Sequence, residues 1–406
     1  MTSPAAENLC ICAVMKFSVQ YYKFTLVRGE NSEGLEPDSQ SYEQRVWYRL
    51  VNIYNIVSFC INGMLLANCF GLEDSHLIFR VLSTISYAVC LTDRCLWAHY
   101  LPIIREARQF IKDGQRTSDN PEIDHPTREN SRKTIHYMLF IVIALNSLEL
   151  IFVMIPSKSM EILFGVDQLR NMFEARVARV LHLFLLSGCF TLVPSGLCFN
   201  GVSTALLCAI RAELNIVDFG YGRIMPILSN SHAAEPNQRN YYEDQRFWKS
   251  IKQQIRVIAH QHNEVLKAFY KIKQLVEISF FISYLYSIVA WGLLTFAIFR
   301  NVSIISIVSM LAFIITNYTC CRMVESLKET NEKLSLTVLE LITQIPFSRK
   351  HHREYKDVRS TLMLIHQNAS YGTVLSCGGF LNIETTVITR LVQTTFTLVT
   401  FLFDVN

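Results

Sequence analysis

Seven apolar stretches, each about as long as a membrane is thick, decide what this chain can fold into. About 20 apolar residues in an α-helix cross the ~30 Å hydrocarbon core of a bilayer. The stretches are 50–70, 76–100, 134–156, 180–210, 276–299, 302–320 and 385–403. Half of the 406 residues are hydrophobic, and they concentrate in these stretches. The sequence therefore predicts an all-α, polytopic membrane protein with seven transmembrane helices.

Lysine and arginine predict the orientation of these helices. The segments 1–49, 101–133, 211–275 and 321–384 hold 30 of these residues, whereas the segments on the opposite side hold 5. The short segments alone give 12 against 5. Because basic residues favour the cytosolic side, the amino terminus is predicted to be cytosolic and, after seven spans, the carboxyl terminus extracellular. This is the reverse of a G-protein-coupled receptor.

The predicted spans and their orientation divide the chain into six parts. They are a cytosolic N-terminal segment (1–49), transmembrane helices 1 to 4 (50–210), a cytosolic loop and amphipathic helix (211–275), transmembrane helices 5 and 6 (276–320), cytosolic anchor helices (321–384), and helix 7 with a short extracellular tail (385–406). Apolar residues recur at three- and four-residue steps in 241–278 and 323–345, so helices 4 to 6 are expected to extend into a cytosolic anchor region. Prolines predict loops at 113–130 and 220–240.

The last transmembrane stretch follows a bend with a recognisable pattern. Cys377, Gly378 and Phe380 mark the bend, with a second glycine between the last two, and Asn382 follows shortly after. An apolar helix of membrane length then runs almost to the end of the printed sequence.

Together with the seven spans and the cytosolic amino terminus, this ending resembles the insect gustatory receptor family. The family closes with a Thr-Tyr-x5-Gln-Phe pattern, of which Thr395 and Phe403 match the first and last positions. Phe396 and Leu402 stand where the family has tyrosine and glutamine. The resemblance extends to the insect odorant receptors in fold.

The resemblance implies a ligand-gated, nonselective cation channel. Such channels are tetramers, here of this chain alone or with other gustatory receptors, in the plasma membrane of gustatory neuron dendrites. The last helix would line the pore, with Leu402 and Phe403 at the outer gate. A helical projection puts Thr395 and Val399 on one face with Leu402, and puts Arg390 away from that face. The alternative is that this helix is simply an apolar packing helix.

Polar residues inside the predicted spans are candidates for a small-molecule pocket. Arg80, Glu149 and His182 are ionisable groups in the outer halves of spans two, three and four. Residues at similar depth that could complete the pocket are Asn146, Tyr286 and Trp291. The alternative interpretation is an interfacial belt, or an ion pair of Arg80 with Glu149 that holds helices together.

Other chemistry is not indicated. There is no phosphate-binding loop, nucleophile elbow or paired-carboxylate site, so we do not expect an enzyme or a cofactor. The 12 cysteines lack zinc-site spacing, and a net charge of +4 gives no reason to expect nucleic-acid binding. The competing function is a seven-span chemoreceptor or transporter without a central pore, acting through a partner. Among gustatory ligands, the absence of the Thr-Tyr-Glu-Phe variant favours a bitter or unassigned tastant over a sugar.

Overall fold

The computed structural model describes residues 42–68, 74–116, 120–154, 161, 164–233, 241–300, 304–371 and 374–405. Within these ranges the chain is almost entirely helical. The elements are α1 (Tyr42–Ala67), α2 (Asp74–Arg116), α3 (Pro121–Met154), α4 (Val166–Met172), α5 (Ala175–Gly222), α6 (Ile224–Ala233), α7 (Tyr241–Arg300), α8 (Ile304–Gln344), α9 (His352–Tyr371), β1 (Ser376–Cys377), β2 (Leu381–Asn382) and α10 (Thr386–Val405).

The described residues of each predicted transmembrane stretch lie almost entirely in a long helix of their own, namely α1, α2, α3, α5, α7, α8 or α10. The all-α prediction is therefore confirmed for the described residues, apart from the two short strands. By length and composition alone, the described part of the chain holds three helical stretches able to cross a membrane, Arg49–Ala67, Gln245–Phe296 and Ser306–Gln344. The first lies in α1, the second in α7 and the third in α8.

The two predicted loops are mostly helical, which corrects the sequence analysis. Helix α2 continues to Arg116, and α3 begins at Pro121. A proline is tolerated at the first helical position, because the N–H that it lacks would have no intrahelical partner there. The Asp124 carboxylate also accepts a 3.4 Å hydrogen bond from the backbone N–H of Asn120, as in a helix cap. The stretch predicted as the second loop contains α6.

Most of the largest buried core lies in the part predicted to be cytosolic. It is formed by the predicted cytosolic parts of α2, α5, α7 and α8 together with α9, and its fully buried members there include Leu214, Phe269, Leu334 and Leu362. The same core continues into the predicted spans, for example at Ile210 and Trp291. A second, smaller core around Leu65, Leu169 and Leu185 joins α1, α4 and α5 at the opposite end. The long helices therefore connect a packed anchor to a smaller outer cluster. Helix α10 packs mainly against α7, at the edge of this bundle.

Candidate ligand pocket and pore helix

A buried arginine lies at the centre of a cluster of polar side chains near the predicted outer ends of α1 and α2. Arg80 on α2 is 1% exposed, and its Nη1 donates to Asn62 Oδ1 on α1 at 3.3 Å. Ser83 donates to the same oxygen at 2.8 Å. Two groups of α2 thus converge on one amide oxygen of α1. Because a guanidinium is always charged, its burial in a membrane protein requires such polar neighbours.

The turn before α4 closes this cluster from outside. Gly165 has a φ of 60°, and a Cβ placed there would come within 3.0 Å of the Arg80 guanidinium carbon and of Gln168 Oε1. On the other side of the same turn, the Phe164 ring lies 5.9 Å from the half-buried His182 imidazole. The structure therefore brings two predicted pocket residues, Arg80 and His182, to one short segment.

A second group of predicted residues lies on α7. The Tyr286 hydroxyl is 2.8 Å from Ser86 Oγ of α2, and its ring meets Phe313 of α8 edge-on at 5.2 Å. Trp291 is buried in the main core. Its indole N–H has no hydrogen-bond partner among the described residues. A buried N–H of this kind is a donor that a ligand can satisfy.

Two predicted pocket residues are not described in the structure. The side chains of Asn146 and Glu149 lie outside the described residues, although their backbone belongs to α3. The cluster also contains three residues that were not predicted from the sequence, namely Asn62, Gly165 and Gln168. Asn62 was recognisable as a polar residue inside a predicted span, whereas the other two depend on the turn that brings α4 against α2.

The bend before the last helix is a tight hairpin. Strands β1 and β2 pair antiparallel, and Gly378 and Gly379, with φ of 59° and 79°, form the turn that the Phe380 N–H closes onto the Cys377 carbonyl. A turn with two positive φ values requires residues such as glycine. Cys377 is buried, while Phe380 is 84% exposed and Asn382 is also exposed. Of the motif residues, Gly378 thus has a conformational reason to be there.

The face of α10 predicted to line a pore lies inside the subunit. Thr395 and Val399 are each 5% exposed and share the buried face of α10 with Val387 and Leu391. A side chain that lines a pore between subunits has to be exposed on one isolated subunit, so this geometry disagrees with the prediction for Thr395 and Val399. The Leu402 side chain lies outside the described residues. Phe403 is exposed, and its ring centroid lies 4.9 Å from that of Phe296 and 5.6 Å from that of Phe299.

The opposite, exposed face of α10 carries a line of polar side chains. This polar stripe consists of Thr389, Gln393, Thr397, Thr400 and Asp404. Steps of three and four residues place all five within about 80° of one another around the helix. Val392 and Phe396 are exposed on one flank, and Arg390 lies on the other, near the end that follows the hairpin. As in the helical projection, Arg390 lies away from the face of Thr395 and Val399, which places it beside the polar stripe.

The stripe presents oxygen atoms to its surroundings. Thr397 donates its hydroxyl proton to the Gln393 carbonyl at 3.1 Å, and Thr400 donates to the Phe396 carbonyl at 3.0 Å. Their protons are used within the helix, so the outward lone pairs remain as acceptors. Asp404 adds a carboxylate in the last turn, where the helix dipole disfavours negative charge. Such a surface suits cations.

Comparison with known proteins supports the fold. No family model matches the chain, and no curated protein matches it. The structure of the insect olfactory receptor OR5 from Machilis hrabei is similar with a TM-score of 0.69 and 9% identity, covering 92% of this chain and 93% of that one. The same receptor in complex with eugenol gives a TM-score of 0.70 and 10% identity, covering 98% of this chain and all of that one.

The chain therefore has the seven-helix, all-α fold of an insect olfactory receptor. The predicted relation to the insect odorant receptor fold is confirmed.

Proposed function

We propose that this chain is a subunit of a ligand-gated, nonselective cation channel of the insect chemoreceptor type. Four subunits, identical or mixed with other gustatory receptors, would surround a central pore in the plasma membrane. The motif around Cys377 and Gly378 favours the gustatory branch, and hence the dendrites of gustatory neurons. A small-molecule tastant, bitter or unassigned rather than sugar, would open the pore.

The polar stripe of α10 is the observation that carries this proposal. Inside a bilayer, an exposed amide such as Gln393 is costly against lipid, because hydrocarbon offers it no hydrogen bonds. Asp404 at the outer end adds a charge that lipid disfavours even more. A water-filled path between subunits removes both costs. The exposed apolar flank at Val392 and Phe396 is then available for neighbouring subunits.

The pore assignment is therefore revised. We assign the pore wall to the polar stripe, with Phe403 beside its outer end as part of the gate. Rings of carboxylates attract cations, so four copies of Asp404 would concentrate them at the outer mouth. Four copies of Arg390 near the inner end would oppose them, which would favour modest rather than large conductance.

The proposed ligand site comprises Arg80 and His182 around the Gly165 turn, and Tyr286 between α2 and α8. The first group offers a charged donor and an aromatic wall, and the second a phenol. This is the usual composition of a small-molecule site. The eugenol complex of the similar receptor supports a small aromatic compound as the first ligand to test.

Cysteine accessibility tests the pore face directly. Thr395→Cys and Thr397→Cys are a matched pair, because the same residue type is buried at one position and exposed at the other. The variants are expressed in cells without added G protein, and whole-cell current is recorded with eugenol, caffeine, denatonium and sucrose. A cationic thiol reagent should block the current of Thr397→Cys and leave Thr395→Cys and the wild type unchanged.

Block of Thr395→Cys without block of Thr397→Cys would instead assign the pore wall to the face of Thr395, as predicted from the sequence. Absence of any current from a chain present at the cell surface, both alone and together with other gustatory receptors, would favour the pore-less receptor or transporter. Asp404→Asn should lower cation conductance by about half, as expected for loss of charge at a mouth. Glu384→Gln, which removes a charge away from the stripe, is the control.

A further inference from the structure

Two carboxylates hold the two ends of the segment that joins the anchor to the last helix. This junction, residues 376–385, contains the hairpin and leads directly into α10. Glu277 of α7 accepts hydrogen bonds from the backbone N–H and the hydroxyl of Ser376, at 2.8 and 3.0 Å. Glu325 of α8 accepts from the N–H and the hydroxyl of Thr385, both at 2.7 Å.

The two contacts have the same chemistry at opposite ends of the junction. In each, one carboxylate oxygen receives both the main-chain and the side-chain donor of a single residue. Hydrogen bonds to an ionised acceptor are roughly twice as strong as neutral ones. Because Thr385 immediately precedes α10, Glu325 also places its negative charge at the positive end of that helix dipole.

Neighbouring charges keep Glu325 ionised. Arg322 Nη1 lies 3.4 Å from Glu325 Oε2, which leaves Oε1 to Thr385. Burial raises the pKa of Glu325, but the hydrogen bonds from Thr385 and Arg322 outweigh it and bring the pKa below its usual value. Glu277 has a more distant cation, since Lys273 Nζ is 4.0 Å away.

Helix α7 connects one of these carboxylates to the proposed ligand site. Glu277 and Tyr286 belong to the same uninterrupted helix, about 14 Å apart along its axis. Helix α8 likewise carries both Glu325 and Phe313, the ring that packs on Tyr286. A shift of α7 against α8 at the ligand site would therefore be passed to the two ends of the junction.

We propose that Glu277 and Glu325 are positioning residues for gating, which fix the base of α10 to α7 and α8 so that relative motion of these helices tilts the pore helix. This inference rests on the proposed channel function. Without the carboxylates, the junction would absorb the motion, and ligand binding would be coupled less tightly to opening.

Hydrogen exchange tests the contacts without any channel current. In the purified full-length protein, Glu325→Gln should speed exchange of the Thr385 amide by about tenfold, and Glu277→Gln that of the Ser376 amide, since each loses a charge-assisted acceptor. Glu384→Gln is the matched control, because it lies in the same junction but its ion pair with Lys328 is solvent-exposed, and exposed pairs contribute little. Unchanged exchange in both variants would overturn the inference.

Dose–response currents test the coupling. With whichever of eugenol, caffeine, denatonium or sucrose gives the largest current, Glu277→Gln and Glu325→Gln should raise the half-maximal concentration about fivefold or lower the maximal current, at equal surface amounts and unchanged single-channel conductance. Glu384→Gln should match the wild type. An unaltered dose response in both glutamate variants, or an equal shift in the control, would overturn the coupling role.

Two milder variants test the same contacts if Glu277→Gln and Glu325→Gln do not reach the cell surface. Ser376→Ala and Thr385→Val remove only the hydroxyl donors and keep both backbone N–H groups. They should shift the dose response in the same direction by a smaller factor, and no shift would count against the proposal. If the wild type passes no current either alone or together with other gustatory receptors, the channel function fails, while hydrogen exchange still decides whether the carboxylates hold the junction.

Discussion

Gly292 of α7 lies directly against Leu398 of α10: a Cβ at position 292 would come within 2.5 Å of Leu398 Cδ2 and 3.1 Å of its Cγ. The absence of a side chain at this one position lets the last helix approach the bundle closely. This contact sits on the buried face of α10, opposite the polar stripe. It therefore sets how far the proposed pore wall stands from the rest of its own subunit.

Gly292→Ala should destabilise the protein by about 1–3 kcal/mol, the usual cost of an extra methyl group in a packed site. Gly63→Ala is the matched control, because nothing lies within 4 Å of the Cβ position there and alanine favours the helix. The measurement is the thermal midpoint of the purified protein. Adding Leu398→Ala should reveal a coupling of roughly 1 kcal/mol with Gly292→Ala, and strict additivity would contradict the contact.

The hairpin turn offers a comparison of two adjacent glycines. Both have positive φ, so either alanine substitution costs about 1 kcal/mol in backbone strain. Only Gly378 also faces a neighbour, since its Cβ would lie 2.8 Å from the Phe281 ring, whereas position 379 is open. Gly378→Ala should therefore lower the thermal midpoint and the surface yield more than Gly379→Ala. Equal effects would show that the Phe281 contact is unimportant.

Breaking the ion pair between α3 and α5 should destabilise the protein strongly. Arg128 makes two hydrogen bonds to Glu213, at 2.8 and 2.9 Å, and both side chains are largely buried. Removing one partner leaves the other charge buried, at a cost of about 3–5 kcal/mol. We expect Glu213→Gln to unfold several degrees earlier in a thermal scan. Lys133→Gln, which breaks only an exposed pair with Glu129, should change the midpoint very little.

The pH dependence of stability should include a contribution from His262. This side chain is 2% exposed, and burial lowers its pKa from 6.5 to about 4. Between these values the unfolded chain binds a proton that the folded chain does not, so stability falls as the pH drops from 6.5 towards 4 and is fully retained above 6.5. The total loss is about 3 kcal/mol, of which about 2 is lost by pH 5.

Thermal midpoints at pH 7 and pH 5 measure this effect. His262→Leu removes the titrating group and should shrink the difference between the two midpoints. The exposed His260 provides the control, and His260→Gln should leave the difference as in the wild type. A wild-type difference that persists in full in His262→Leu would assign the pH dependence to other groups.

The helices could be predicted from sequence, but their ends could not. Apolar length locates a membrane helix because lipid forbids unpaired backbone groups. It says nothing about how far the helix continues in water, where packing decides. Pro121 illustrates this limit: a proline that suggested a loop is instead the first residue of α3, since at a helix start it costs nothing.

The face of α10 was the part of the candidate site that sequence could not determine. Threonines occur all around this helix. Because a threonine hydroxyl can donate to a backbone carbonyl of the preceding helical turn, threonine is tolerated both in a buried core and on a hydrated surface. The residue type therefore does not distinguish Thr395, the predicted pore residue, from Thr397. The distinction comes from packing against α7, which buries the first and leaves the second exposed. Likewise, Arg80 could be recognised as a buried charge, but its contact with the Gly165 turn depends on the fold.

The exposed polar stripe has a consequence for how such a protein is made in the cell. A newly inserted subunit that has met no partner would hold Gln393 and Asp404 against acyl chains and bear the full solvation penalty. Assembly would relieve that penalty in every copy at once. An unassembled subunit would thus expose polar groups within the membrane, which the machinery that degrades orphan membrane proteins can recognise. Its lifetime would therefore depend on the number of partner subunits in the same membrane.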